Sequence, residues 1–268
     1  MVMFDLDEQA RSILKKNDRG GFTIPTARLY PFQWNWDSAF IALGIATMDD
    51  DRAWQELDML VEGQAHDGMI PSIIFRNDDD DYFPGPKVWQ TDNGPINGTG
   101  ISQPPVLASV VSQLAKAQGA KGLERARHLF PAMMKWHQWW HDYRTPDGLD
   151  VVCTVHPWET GRDNCPDWKI GLQNMQTDPD LEPYQRKDIQ HANPAERPSQ
   201  DEYDKYISIV KFGRDHGWDQ KVLTNQGPFL MADPGIFFFL LRADRDLLWV
   251  AEEFGHTKEA VQIRACIE

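Results

Sequence analysis

The stretch HPWETGRDNCPDW, residues 156–168, sets two tryptophans, a histidine, an arginine and the carboxylates Glu159, Asp163 and Asp167 within thirteen positions. A loop that only joins helices favours small polar turn formers, because exposed tryptophan gains nothing and crowded carboxylates repel. This composition points instead to gripping or protonating something. Glu159 follows Trp158, Asp163 sits between Arg162 and Asn164, and Asp167 follows Pro166, where a helix cap is expected. A general acid must keep its proton near neutral pH, which requires partial burial against apolar surface, and Trp158 and Trp168 are placed to supply it. Arg162 would oppose that if it shared Asp163's direction, so it is expected to point elsewhere.

Two further stretches carry site-like chemistry. In LYPFQWNWDSAFIALGIA, residues 29–46, Asp37 and Ser38 read as N-caps of an apolar inner helix, with Tyr30, Gln33, Trp34, Asn35 and Trp36 at its positive end. The plainer alternative is a capping aspartate with two core tryptophans. In GTGISQPPVLASVV, residues 98–111, Ser102, Gln103 and a Pro-Pro pair open another helix, and Gln103 either bonds hydroxyls in two directions or caps. Aromatic residues mixed with Asp, Asn, Gln and Gly suit a sugar, whose C–H faces stack on rings while its hydroxyls need planar partners. RNDDDDYF, Arg76 to Phe83, lacks a calcium-loop pattern and reads as a solvated loop tip. His137 and His141, spaced i, i+4 without a metalloprotease glutamate, read as packing of an aromatic helix face. No metal and no cofactor are expected.

Helical periodicity recurs over about 5–16, 37–48, 51–66, 102–118, 122–143, 201–217, 235–254 and 257–267, with a short helical turn near 168–174 and almost no strand signal. The long Pro-, Gly- and Asp-rich loops 67–100 and 144–200 carry Trp and Phe, which marks them as ordered and functional. Helix, loop and helix of similar lengths suggest antiparallel hairpins side by side, an all-α toroid with a pocket built by loops at one end. The 41% hydrophobic content of 268 residues is enough for a substantial core. A net charge of −14, from 27 Lys and Arg against 41 Asp and Glu, argues against a nucleic-acid partner. The longest apolar run, Ile236 to Leu241, is too short to span a bilayer, and the first residues lack a secretory pattern. Three cysteines without metal-ligand spacing read as reduced thiols, giving a cytoplasmic expectation.

YPFQWNWDSAF, GMIPSIIF (68–75), GISQPPVLASVV, HPWETGRDNCPDW and RPSQDEYDKYISIV (197–210) occur in the order seen in the mannosylglycerate and glucosylglycerate hydrolases of glycoside hydrolase family 63. The chain resembles that group over nearly its whole length. The resemblance implies an (α/α)6 barrel domain over residues 1–268, inverting chemistry and Asp163 as general acid. It also implies that Tyr30, Trp34, Trp36, Asp37 and Gln103 line a sugar subsite, and that Arg197 and Tyr203 hold the carboxylate of a small anionic glycoside, glucosylglycerate or mannosylglycerate. Arginine binds a carboxylate bidentately, and a chain at −14 needs a fixed cation where an anion docks. The alternative for Arg197 is a surface salt bridge leading into a helix. Cys165 stands where the group more often has Ser.

An inverting glycosidase needs a second carboxylate as base, about 6.5–9.5 Å from the first. In the resembled group it is a glutamate in the later part of the barrel, whereas eight or nine helices of twelve are expected here. The expectation is therefore an incomplete toroid whose other half comes from elsewhere, with apolar helix faces at an open edge that favour self-association. A trehalase-like or debranching-type glycosidase and a non-catalytic sugar-binding remnant are the rival readings.

Overall fold

The computed structural model describes residues 5–27 and 29–268, and the side chains of these except that of His191. Twelve α-helices run in the order α1 Leu6–Asn17, α2 Asn35–Ile45, α3 Asp50–Glu62, α4 Pro86–Trp89, α5 Leu107–Gln118, α6 Ala120–Tyr143, α7 Trp168–Leu172, α8 Asp188–His191, α9 Gln200–Asp215, α10 Gln220–Gln226, α11 Pro234–Glu253 and α12 Thr257–Ile267. Among the described residues the paired strands are two residues long, and two short 3-10 helices, Pro157–Thr160 and Pro194–Glu196, lie in the loops. β1 (Gln33–Trp34) pairs antiparallel with β2 (Ile73–Ile74), and β3 (Cys153–Thr154) with β4 (Met231–Ala232).

Three hairpins, α2/α3, α5/α6 and α11/α12, stand side by side, with α5 packed against both α2 and α11. This is the α/α arrangement of a helical toroid, present as an incomplete ring. The shared core is filled by Leu107, Val111, Trp136, Trp139, Trp140, Ile236 and Leu247, among others. Deleting one such indole would cost about 3–5 kcal/mol, because the surroundings cannot collapse into so large a hole. Between the second and third hairpins, residues 144–233 leave the ring and carry α7 to α10 in a separate layer with its own aromatic core around Trp168, Tyr203, Tyr206 and Phe229.

Two helix starts differ from the expectation for identifiable reasons. α5 begins at Leu107 rather than 102, since Pro104 and Pro105 have no N–H to give a helix. α2 begins at Asn35, so Asp37 and Ser38 lie in its first turn and do not cap it. Ser38 serves elsewhere, donating its hydroxyl to Glu56 at 2.7 Å, and Glu56 also accepts from the backbone and hydroxyl of Thr23 and from Arg52. This fully buried carboxylate ties the segment before α2 to both helices of the first hairpin.

One side of the ring is unpacked. Leu6 and Ile13 on α1, Phe40 on α2, and Phe237, Phe238 and Phe239 at the start of α11 are exposed. The apolar run Ile236 to Leu241 is thus split: Ile236 and Leu240 face the core, and the three phenylalanines between them do not.

His137 and His141 do more than pack a helix face. Asp244 of α11 receives both, at 2.6 Å from His137 Nδ1 and 2.9 Å from His141 Nε2, which fastens the second hairpin to the third. Burial alone would lower the His141 pKa, but its hydrogen bonds to Asp244 and Cys266 outweigh this and raise it to about 10. Burial would likewise raise Asp244, but the two histidines hold it down to about 2. A raised histidine stabilises fully below its unfolded value, about 6.5, and loses that contribution as pH rises towards 10. A lowered aspartate stabilises above about 3.8 and loses its share as pH falls towards 2. Asp244→Asn should therefore cost about 3–5 kcal/mol, the loss expected when one partner of a buried pair is removed. Urea unfolding should show the gap from wild type widest near pH 5–6 and shrinking towards pH 10.

Candidate active site

The loop 156–168 is built from its costly residues. His156, fully buried, accepts the Trp158 N–H on Nδ1 at 3.0 Å and donates from Nε2 to the Tyr206 carbonyl at 3.2 Å. Burial lowers its pKa to about 3, so it stays neutral and serves as a fixed cap. The Thr160 hydroxyl donates to the Pro157 carbonyl and accepts the Arg162 N–H, which closes the turn. Gly161 takes φ +68°, and a Cβ there would stand 2.4 Å from the Trp36 ring, so the position needs glycine twice over. Arg162 turns away from Asp163 to Asp233, the cap of α11, at 2.6 Å. The Trp168 indole donates to the Arg162 carbonyl at 2.7 Å, and the Tyr206 hydroxyl donates to the Asp163 carbonyl at 3.1 Å. Every partner except solvent is thereby committed before Asp163 is reached.

Asp163 lines a cavity of about 300 Å³ with Tyr30, Trp34, Gln103, Arg197 and Tyr203. These six of the eight residues singled out from sequence come together although they span 30 to 203. Trp34 is set by the β1–β2 pairing, which puts it opposite Ile73, another wall residue. Gln103 lines the wall and accepts the Trp36 N–H in the first turn of α2 at 3.3 Å; it does not cap α5, whose N-cap position is Val106. Trp36 and Asp37 are outside the lining. Because the chain turns helical at Asn35, Trp36 is carried onto Gly161 and against Phe40 and Phe239, while Asp37 stands in the first turn of α2.

The electrostatics separate two ends. At one, burial raises Asp163 to about 6; Arg197 opposes the shift and Asp37 adds to it. Burial raises Asp37 to about 6 as well. At the other, Asp188 accepts from both nitrogens of the Arg186 fork, at 3.0 and 2.7 Å, and from Arg197 Nε at 2.9 Å. Two guanidinium groups on one carboxylate leave a net charge of about +1 at Arg197, inside a chain carrying −14. Arg197 is thus ion-paired, as the plainer alternative held, yet it is mostly buried and faces the cavity. Tyr203 lies beneath Arg186, with the guanidinium 4.3 Å from its ring centre.

A model of the mannosylglycerate hydrolase MGH1-like glycoside hydrolase domain matches residues 30–268. The chain belongs to this family. It is 43% identical over 96% of its length to mannosylglycerate hydrolase MGH2 of Selaginella moellendorffii, and 44% identical over 91% to the mannosylglycerate hydrolase of Thermus thermophilus. It covers 53% and 59% of those proteins. A glucosylglycerate hydrolase of Mycolicibacterium hassiacum is 36% identical over 87% of the chain, which covers 55% of it. Among solved structures, a family 63 mannosylglycerate hydrolase of Thermus thermophilus, in complex with Tris and D-glycerate, superposes with a TM-score of 0.88 at 40% identity. That match takes in 97% of this chain and 64% of the other. The chain therefore spans between half and two thirds of the length of these relatives.

Within this glycoside hydrolase family member, several wall residues were not legible from sequence. Trp89 lines the cavity beside Trp158, which the sequence had marked, and Tyr82 and Phe83 arrive from the loop read as a solvated tip. The acidic run of that loop is solvated as expected, with Asp80 and Asp81 almost fully exposed, yet Asp79 and Asp81 also stand on the cavity rim, and Asp81 pairs with Lys187 at 3.4 Å. The aromatic residues that follow the acidic run were the available signal. Arg186 and Asp188 pair locally, two positions apart at the start of α8, and the approach of Arg197, nine positions on, joins them to the cavity wall. Trp168 is buried under the Asp163 loop, away from the cavity.

A carboxyl group raised on folding makes stability fall as pH rises, because the unfolded chain has already lost that proton near 3.8 while the folded chain holds it to about 6. Asp163→Asn should consequently be more stable than wild type at pH 7.5, with the difference gone by pH 4. Thermal unfolding at the two pH values measures this.

Proposed function

We propose that the chain is the substrate-gripping part of a glycoside hydrolase that cleaves mannosylglycerate or glucosylglycerate with inversion, releasing hexose and glycerate. The observation that carries this reading is the cavity itself: a carboxyl group that holds its proton to about pH 6 shares its walls with the Arg197 guanidinium, one of two that share Asp188. Asp163 is assigned the general acid. Its proton goes to the glycosidic oxygen as the C–O bond breaks, and the hexose ring is left with oxocarbenium character. Trp34, Trp36, Asp37, Gln103 and Tyr30 are assigned to the sugar, Asp37 and Trp36 from beside the cavity. Arg197 and Tyr203 are assigned to the glycerate carboxylate. A neutral disaccharide of the trehalase type offers nothing to the positive end, which favours the glycerate glycosides over that rival.

Inversion also needs a base that activates water from the opposite ring face. Glu159 is unsuited, since both its oxygens are saturated by donors inside the protein. The base is assigned to a polypeptide segment like the part of the relatives that this chain does not cover, seated on the open side at Phe40, Phe237, Phe238 and Phe239. Among the described residues no helix is long and apolar enough to cross a membrane. With three free cysteines, a reducing cytoplasmic setting is proposed.

Calorimetric titration of the chain with mannosylglycerate, glucosylglycerate and trehalose should show binding of the first two and none of trehalose. Arg197→Lys keeps the charge but loses the fork, so it should weaken both glycerate glycosides at least about tenfold. Equal binding of trehalose would defeat the assignment. With the chain joined to the C-terminal part of the Thermus relative, NMR should detect the inverted anomer as first product. Asp163→Asn should then lose at least about 10²-fold in kcat with little change in KM. Turnover by the unjoined chain would move the search for the base to Asp37.

A further inference from the structure

Four residues before Asp163 lies a charge that the proposed chemistry does not use. Glu159 and Arg144 are both fully buried, and the pair is joined by Arg144 Nε at 3.0 and 3.1 Å to the two carboxylate oxygens and by Nη2 at 2.6 Å. Glu159 also accepts the backbone N–H of Val155 at 2.9 Å and of Ser102 at 3.3 Å. Arg144 Nη2 reaches Gln220 Oε1 at 2.9 Å, and Gln220 passes the connection on, donating to the Gly100 carbonyl at 3.1 Å. The guanidinium lies 4.3 Å from the Trp139 ring centre, at the end of α6. One ion pair thus holds the loop 155–163 and the loop 100–103 to the same helix end.

We propose that Arg144 and Glu159 are positioning residues that set the Asp163 loop against the Gln103 loop, and so shape the hexose side of the cavity while leaving the glycerate side to Asp188. The inference rests on the glycosidase reading above. Three observations carry it. The pair contacts both loops that bear hexose-side residues and, among the described hydrogen bonds, shares none with Arg186, Asp188 or Arg197. An apolar pair of the same volume would serve stability as well or better, since two fully buried charges lose their hydration, so the pair's geometry is what it adds here. Ser102 is also held through its hydroxyl, which donates to the Ile70 carbonyl at 2.7 Å and accepts from the Trp136 indole at 3.0 Å, so the bond from its N–H to Glu159 ties the Asp163 loop to a fixed point beside Gln103.

The test is Glu159→Gln, which keeps shape and removes the charge, with calorimetric titration against mannosylglycerate, glucosylglycerate and free D-glycerate. The glycoside that wild type binds should weaken by about tenfold or more, because displacement of positioning groups by about 1 Å is expensive, while D-glycerate stays within about twofold. Equal losses for glycoside and D-glycerate would mean a merely structural pair and overturn the proposal, as would no loss for either. Should wild type bind no glycerate glycoside, the functional reading fails on its own. The positioning claim is then decided by carbon-detected NMR titration of Asp163: a midpoint moving from near 6 towards the ordinary 3.8 in Glu159→Gln supports it, and an unmoved midpoint overturns it. If Glu159→Gln does not fold, Gln220→Met removes the Gln220 bonds to Arg144, Gly100 and Trp218 at nearly constant volume while leaving the Arg144–Glu159 pair itself, and the same split and the same titration apply.

Discussion

A carboxyl group that keeps its proton about two pH units longer than usual is the constraint around which this molecule is arranged. Water must be kept from Asp163 on most sides, yet the group has to stay open towards the ligand, and a flexible loop cannot meet both demands. The solution is a loop in which nearly every neighbour is locked first: His156 neutral and capped, Glu159 clamped, Gly161 pressed on Trp36, Arg162 drawn off to Asp233. Had Arg162 stayed free beside Asp163, its charge would have pulled the proton off, since an adjacent cation favours the ionised form. The ion pair with the α11 cap thus guards the acid as much as it fastens the loop.

The second constraint is charge balance. In a chain at −14 an anionic ligand meets repulsion unless one region is locally positive. On the proposed reading the Arg186–Asp188–Arg197 triad supplies one uncompensated positive charge, which limits its pull on Asp163 across the cavity. Arg197 lowers the Asp163 pKa, but burial outweighs it. A lone Arg197 without Asp188 would swing more freely and bind the carboxylate with greater loss of side-chain entropy. The shared aspartate therefore fixes direction, and the second arginine restores the sign.

How much of this was legible in the sequence depended on whether the decisive contact was local. The eight long helices follow from apolar periodicity, and their hairpin order from loop lengths. The Asp163 loop could be recognised because aromatic and charged residues are concentrated there beyond what a connector needs. The start of α2 was misplaced by two residues, because Asp37 and Ser38 look like caps while the true competitor for Ser38 is Glu56, eighteen positions on and folded back by the α2–α3 turn. The acidic run 78–81 was legible as solvated but not as a cavity rim, since Lys187, its partner from across the cavity mouth, lies more than a hundred residues away. His137 and His141 looked like packing for the same reason: Asp244 lies on another hairpin.

The exposed phenylalanines and the acid are one problem rather than two. Phe239 touches Trp36, Trp36 covers Gly161, and Gly161 precedes Arg162 and Asp163 in the locked turn. A helix laid over Phe237, Phe238 and Phe239 would remove apolar surface from water, a gain of about 25 cal/mol per Å². The same act would thicken the low-dielectric wall behind Trp36. Burial of that wall raises the cost of ionising Asp163 and strengthens each hydrogen bond aimed into the cavity, because both scale inversely with the local dielectric. Cover over these phenylalanines and the environment of Asp163 are therefore coupled through a single indole, Trp36, which stands behind the cavity wall without lining it.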